Sequence, residues 1–131
     1  MWNRIERLTG QIWRVCNVAD RAFDMLIGKS VVSDMRKVVR VIDANITQLQ
    51  NSDKVNEHQL SVLNDLVEMV YTLNDILEAA VDAYEVDDVL LVDTWRQALN
   101  TIRTGLNTVR GDIRKCSGDN KEIDDGICEG Q

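Results

Sequence analysis

The sequence predicts an all-α protein, an antiparallel four-helix bundle followed by a short acidic tail. Proline is absent from all 131 residues, aromatic residues make up only 5% of them, and apolar residues recur at three- and four-residue steps in four long segments. Proline breaks helices, strands favour aromatic side chains, and this period places apolar side chains on one helical face. We therefore expect residues 1–116 to form the bundle and residues 117–131 to form the tail.

The first helix is predicted from about Trp2 to Ile27, with Gly28 at the position where a left-handed residue commonly ends a helix. Val18, Met25 and Ile27 widen its apolar surface, which favours extra neighbours in the bundle or oligomerisation. The main apolar seam consists of Ile5, Leu8, Ile12, Val15, Cys16, Ala19, Ala22, Phe23 and Leu26.

The second helix is predicted from about Val31 to Gln50. Its valines lower the intrinsic helix propensity, but their spacing fits a helix better than a strand. Its apolar seam consists of Val32, Met35, Val38, Val39, Ile42, Ile46 and Leu49.

The third helix has the clearest pattern and is predicted to end near Tyr84. Asn56 and Gln59 have the spacing of a capping box, in which two side chains satisfy unpaired amides at a helix start. Its inward positions are predicted to be Leu60, Leu63, Leu66, Val67, Val70, Leu73, Leu77, Ala80, Val81 and Tyr84.

The fourth helix is predicted to begin at Asp87 or Asp88, because a carboxylate is favourable at a helix N-terminus. The alternative is one bent helix from Asn56 to Lys115, since no glycine or proline marks a break. The inward positions of the fourth helix are predicted to be Leu91, Val92, Trp95, Ala98, Leu99, Ile102, Leu106, Val109 and Ile113.

The overall charge argues against two classes of partner. The net charge is −7 and the isoelectric point about 4.6, whereas nucleic acids and anionic membranes attract basic surfaces. No apolar run reaches the roughly 18–20 residues of a membrane span, and the N-terminus lacks the apolar stretch of a secretory signal. We expect a cytoplasmic protein, including one later incorporated into a viral particle.

Reactive residues are too few and too scattered to predict a catalytic, cofactor or metal site. His58 is the single histidine and has polar neighbours, so we expect it to be solvated. Cys16 is expected to be buried. Cys116 and Cys128 bracket the tail, and they either form a disulfide or remain two free thiols. Glu57, Glu68, Asp75 and Asp82 lie opposite the third seam, as a solvated face or an acidic docking surface.

The charges are segregated along the chain. Residues 1–50 carry +3, residues 51–93 carry −10, residues 94–116 carry +4 and the tail carries −4. Arg7, Arg14 and Arg21 form one row on the first helix. A second row, on the fourth helix, consists of Arg96, Arg103, Arg110 and Arg114. Rows of this kind pair with acids on a neighbouring helix or on another chain.

Two tryptophans and two isoleucines complete the candidate partner contacts. Trp2 and Trp13 are eleven residues apart and therefore point in nearly the same direction on the first helix. Trp13 lies off the main seam, so another element covers it or another chain binds it. Ile123 and Ile127 are four apart in the tail and are predicted to dock it onto the bundle or a neighbour.

These features predict a non-enzymatic protein–protein interaction module. One role is a self-associating or docking structural subunit of a larger assembly, such as a virus or phage particle. The alternative is an acidic helical chaperone or adaptor for one client protein. A nucleic-acid binder, based on the arginine rows alone, and an enzyme without histidine are minor alternatives.

Overall fold

The protein consists of four α-helices, as seen in a computed structural model that describes residues 1–25, 29–85 and 91–116. The helices are α1 (Trp2–Met25), α2 (Lys29–Gln50), α3 (Glu57–Glu85) and α4 (Val92–Cys116). They pack side by side, so the prediction of an all-α four-helix bundle is confirmed. Some predictions fall on residues outside the described ranges. These are the end of the first helix at Leu26, Ile27 and Gly28, the Asp87 or Asp88 cap, the 117–131 tail with Ile123 and Ile127, and the choice between a disulfide and two thiols at Cys116 and Cys128.

The start of α3 has the capping box that the sequence predicts. The backbone amide of Gln59 donates to Oδ1 of Asn56 over 2.7 Å, and the amide of Asn56 donates to Oε1 of Gln59 over 3.1 Å. Both side chains therefore satisfy amides that lack a partner within the helix. This reciprocal pair fixes the point at which the polar connection after α2 becomes α3.

The helices surround one core, in which α1 and α4 pack together, α2 lies between α1 and α3, and α1 meets α3 across the centre. Trp2 at the start of α1 contacts His58 at the start of α3. His58 in turn lies beside Cys116 at the end of α4. Because α3 and α4 are separate helices that pack against each other, the alternative of one bent helix is wrong.

The predicted seams supply the core. Most of their members are buried, and the largest fully buried side chains are Phe23, Ile5, Ile12, Ile42, Ile46, Leu63, Leu66, Leu73, Leu77, Leu99, Leu106 and Ile113. Three seam predictions are wrong, because Val38, Leu60 and Leu91 are exposed. Leu91 lies in the turn before α4. Val38 and Leu60 are each one residue, about 100° of helix, from a buried neighbour. Val39 takes the inward position on α2, and the capping residue Gln59 takes it on α3.

An aromatic cluster closes the other end of the core. The rings of Phe23 and Trp95 have centroids 5.3 Å apart, and Tyr84 meets Trp95 edge to face at 6.2 Å. Burial raises the pKa of the Tyr84 hydroxyl above its ordinary value. Among the described helices, none combines the length and the apolar character needed to cross a membrane.

Candidate protein-binding surfaces

Arg96 on α4 is held by two carboxylates of α1. Its Nε lies 2.9 Å from Oδ1 of Asp20, and its Nη1 lies 2.9 Å from Oδ1 of Asp24. The hydrogen bond to Asp20 raises the pKa of Arg96 further above its ordinary value. This arginine is therefore paired within the chain.

Arg103 continues the same contact between α1 and α4. It donates to Oδ1 of Asn17 over 2.9 Å, and its Nη2 lies 3.5 Å from Oδ2 of Asp20. Its other contact is with Asn100 on its own helix. Arg96 and Arg103 thus pair intramolecularly, which is one of the two arrangements that the sequence allows. Contact with another chain stays a prediction for both.

Trp13 and Arg110 form a third contact between these helices. The guanidinium carbon of Arg110 lies 5.9 Å from the centre of the Trp13 ring, within the range of a cation–π interaction. Trp13 is half-buried and packs against the core. Its predicted role as a partner contact therefore competes with a packing role that the structure shows.

The row on α1 differs from the row on α4. Arg7, Arg14 and Arg21 are exposed, and none of them forms an ion pair with another residue in the described ranges. We refer to these three residues as the arginine row. Their charges are available to another molecule.

One end of the arginine row lies in an open groove between α1 and α2 with a volume of about 280 Å³. Oε1 of Gln11 is buried there and accepts no hydrogen bond from the described residues. The groove lining includes two arginines and no carboxylate, and it consists of Arg4, Arg7, Leu8, Gln11, Asn45, Gln48 and Leu49. We refer to it as the basic groove.

Apolar side chains extend this surface along α2. Val41 and Val38 lie one and two helical turns from Asn45, which places them on the same side of α2 as the basic groove. Val41 is 60% exposed and Val38 is 40% exposed. The α1–α2 face therefore combines unpaired positive charge with accessible apolar area.

The α3–α4 face has a second groove, of about 460 Å³, with the opposite charge. Met69 and Ile102 give it an apolar floor, while Asp65 and Glu68 are exposed carboxylates at its edge. The complete lining consists of Asp65, Glu68, Met69, Thr72, Ala98, Thr101, Ile102 and Gly105. We refer to it as the acidic groove.

Gly105 permits close packing on the floor of the acidic groove. A Cβ atom at this position would lie 2.8 Å from Cε of Met69, too close without a shift of that side chain. No sequence motif marks Gly105, Met69 or Asp65 as site residues. Only their neighbours in three dimensions distinguish them from other residues of amphipathic helices.

Carboxylates continue along α3 from the acidic groove. Glu68, Asp75 and Asp82 are exposed and seven residues apart, and none has an ion-pair partner within the part of the chain that the structure describes. We refer to them as the acidic row. They lie on the face that the sequence predicts to be solvated or to be an acidic docking surface.

Trp2, His58 and Cys116 form a small cluster at the end of the bundle where α1 and α3 begin. The ring centroids of Trp2 and His58 are 5.4 Å apart, and Nε2 of His58 lies 3.2 Å from Sγ of Cys116. His58 is half-buried between α1 and α4, so the expectation that it is solvated holds only in part. Trp2 is half-buried in the same contact, so its role as a partner contact stays a prediction.

The described residues offer no cluster suited to metal chemistry: none of their His, Cys, Asp and Glu side chains gather in groups of three or more. Cys16 is buried in the core, and burial raises the pKa of its thiol to about 12. At neutral pH it is therefore a protonated, inaccessible thiol and a poor nucleophile.

Comparisons with protein-family models, curated proteins and solved structures find no match to this chain.

Proposed function

We propose that the protein is a non-enzymatic protein–protein interaction module that self-associates or docks as a structural subunit of a larger assembly, such as a virus or phage particle. One observation carries this proposal. The arginine row on α1 and the acidic row on α3 are exposed and have no ion-pair partners among the described residues. Each row adjoins a groove with apolar side chains.

Rows of this kind contribute little to the stability of the chain that has them, since exposed ion pairs are each worth about 0–1 kcal/mol even when formed. Between two chains, however, complementary charges accelerate encounter and select one orientation. Apolar area in the grooves then supplies the contact that charge alone does not provide. Together these features favour recognition of another protein surface.

A peptide titration tests the binding role of the acidic groove. The probe is a designed amphipathic helix with a leucine seam flanked by lysines, labelled for fluorescence anisotropy. We expect saturable binding that weakens as salt is added, because the exposed carboxylates are screened. A peptide with the same seam and glutamates in place of the lysines is the matched control.

A protein variant completes this test. Glu68→Lys reverses one charge at the edge of the acidic groove, and we expect it to reduce the affinity for the lysine peptide by roughly threefold to tenfold. Asp34→Lys, an exposed reversal on α2, should leave the affinity unchanged. Equal binding of the two peptides, or no binding by either, would contradict a protein-binding role for this groove.

The second candidate is an acidic adaptor or chaperone for one client. The acidic groove supports it, since an apolar floor beside carboxylates suits a basic amphipathic helix of a client. Light scattering separates the two roles. A structural subunit forms larger oligomers as its concentration rises, whereas an adaptor stays a monomer or small dimer without its client.

A further inference from the structure

We infer that the partner of the arginine row is the acidic row of a second copy of this chain, so that copies stack through two different faces. This inference rests on the proposed function and specifies the partner. The basic groove and the acidic groove belong to the α1–α2 and α3–α4 faces. These faces share no helix and lie on opposite sides of the bundle.

The spacing of the two rows matches. Arg7, Arg14 and Arg21 are separated by seven residues, and so are the three members of the acidic row. At about 1.5 Å per residue, successive charges in each row are roughly 10.5 Å apart and each row is roughly 21 Å long. Three ion pairs can therefore form between two helices without a shift in register.

The match extends to the surroundings of the rows. Arg4 and Arg7 line one groove, Asp65 and Glu68 line the other, and neither lining contains a charge of the opposite sign. Two like faces would place arginines against arginines or carboxylates against carboxylates. Charge therefore favours contact between unlike faces and opposes contact between like ones.

The available area is adequate for such a contact. A helix of 24 residues, the length of α1, is about 36 Å long. Two adjacent helices about 10 Å apart present a face of roughly 700 Å², close to the roughly 800 Å² per partner of an ordinary stable interface. The exposed Val38 and Val41 on one face and the apolar floor of the acidic groove on the other supply its apolar part.

Contact between unlike faces leaves one free face of each kind on every pair. A third copy can then add to either end, and the result is an open filament or a closed ring, depending on the rotation between copies. This geometry distinguishes the inference from a symmetric dimer, in which the same face of both copies is buried.

Two charge reversals test the inference. The first variant combines Arg7→Glu, Arg14→Glu and Arg21→Glu, and the second combines Glu68→Lys, Asp75→Lys and Asp82→Lys. Sedimentation velocity at low salt should show that each variant alone associates roughly tenfold to hundredfold more weakly than the original chain. An equimolar mixture should associate again, since each reversed face meets a complementary one.

The control variant combines Arg40→Glu, Lys54→Glu and Lys115→Glu, three exposed reversals outside the arginine row and outside both groove linings. It makes the same change in net charge as the first variant and should associate like the original chain. Circular dichroism checks that each variant is folded. If a reversal unfolds the chain, the glutamine versions of the same triple substitutions replace it, and they should also weaken association.

The outcomes separate this inference from the proposed function. An original chain that stays monomeric at all concentrations overturns the inference, and so does a mixture of reversed variants that does not associate. Binding of the lysine peptide can still succeed in both cases, which leaves the protein-binding role intact. If the original chain associates and only the mixture fails, self-association uses other surfaces.

Discussion

Arg96 on α4 donates a hydrogen bond of 2.9 Å from Nε to Oδ1 of Asp20 on α1. This bond connects a basic segment of the sequence with an acidic residue 76 positions away. It explains why the two helices that have rows of arginines differ in what they offer a partner. On α4, Arg96 and Arg103 are paired across the helix interface, whereas the arginine row on α1 is unpaired within the described residues.

Asp20→Asn should destabilise the contact between α1 and α4. The asparagine keeps the shape of the side chain but removes the charge that Arg96 and Arg103 share, so we expect the melting temperature to fall by a few degrees. Thermal denaturation followed by circular dichroism measures this change. The difference should shrink at high salt, because these partly exposed charges are screened.

The matched comparison for Asp20→Asn is Asp24→Asn. Among the residues that the structure describes, Asp24 pairs with Arg96 alone, and its side chain is 61% exposed, against 23% for Asp20. Its substitution should therefore have the smaller effect. A larger effect at Asp24 would show that Asp20 is not the centre of this contact.

Leu73→Asp should unfold the domain. Leu73 is fully buried in the α3 seam, and a carboxylate there loses both the packing of the leucine and its own hydration. We expect the free energy of unfolding to fall by more than about 4 kcal/mol. Urea denaturation measures it, and Tyr71→Asp on the exposed side of α3 should have a much smaller effect. An unchanged urea denaturation curve for Leu73→Asp would show that Leu73 does not belong to the core.

Trp13→Ala should lower stability without removing the helices. The ring is half-buried and lies under Arg110, so its loss should cost about 1–3 kcal/mol while the circular dichroism spectrum at low temperature stays helical. A double-mutant cycle with Arg110→Gln measures the part due to the cation–π contact.

The same variant tests the sequence prediction that Trp13 contacts a partner. Sedimentation of folded Trp13→Ala should show weaker self-association than the original chain if that prediction is correct. Unchanged association together with reduced stability would assign Trp13 to packing alone.

The sequence was sufficient for the class of fold because the information is periodic. Seam residues such as Ile12, Leu73 and Ile102 recur at helical spacing, and each is buried. The capping box of Asn56 and Gln59 was equally visible, since it depends on two residues three positions apart. Local patterns of this kind require no knowledge of which helices are neighbours.

The candidate surfaces were only partly predictable, because they depend on neighbours in three dimensions. The sequence located both rows of arginines, yet it left open which row is paired. The pairing of Arg96 depends on the position of Asp20 across the interface. His58 likewise has polar neighbours in sequence, but Trp2 and Cys116, at the ends of two other helices, contact it and leave it half-buried.

Cys16 should make stability depend on alkaline pH. Burial raises the pKa of its thiol from 9.0 to about 12, so the folded state retains a proton that the unfolded state loses first. The stabilisation that the protonated Cys16 thiol provides is fully present below pH 9.0 and is lost as the pH rises toward about 12. Over this window the free energy of unfolding should fall by up to about 1.4 kcal/mol per pH unit.

Urea denaturation at several alkaline pH values measures this slope, and Cys16→Ala is the control. That variant lacks the titrating thiol, so its slope should be shallower than that of the original chain. Tyr84, whose pKa is also raised by burial, contributes in the same direction and remains present in both proteins. Parallel slopes for the two proteins would show that Cys16 does not titrate as a buried thiol.

Gly10→Ala and Gly105→Ala should differ in their effect on stability although both glycines are within helices. A Cβ at Gly10 meets nothing within 4 Å, so alanine should raise the free energy of unfolding by about 0.5–1 kcal/mol through its higher helix propensity. At Gly105 the Cβ would lie 2.8 Å from Cε of Met69, and part of the same gain is lost as that side chain moves.

Urea denaturation measures both changes. In a Met69→Ala background the clash is absent, so Gly105→Ala should regain the full effect seen at Gly10, whereas an equal gain at Gly105 in both backgrounds would mean that Met69 does not pack against it.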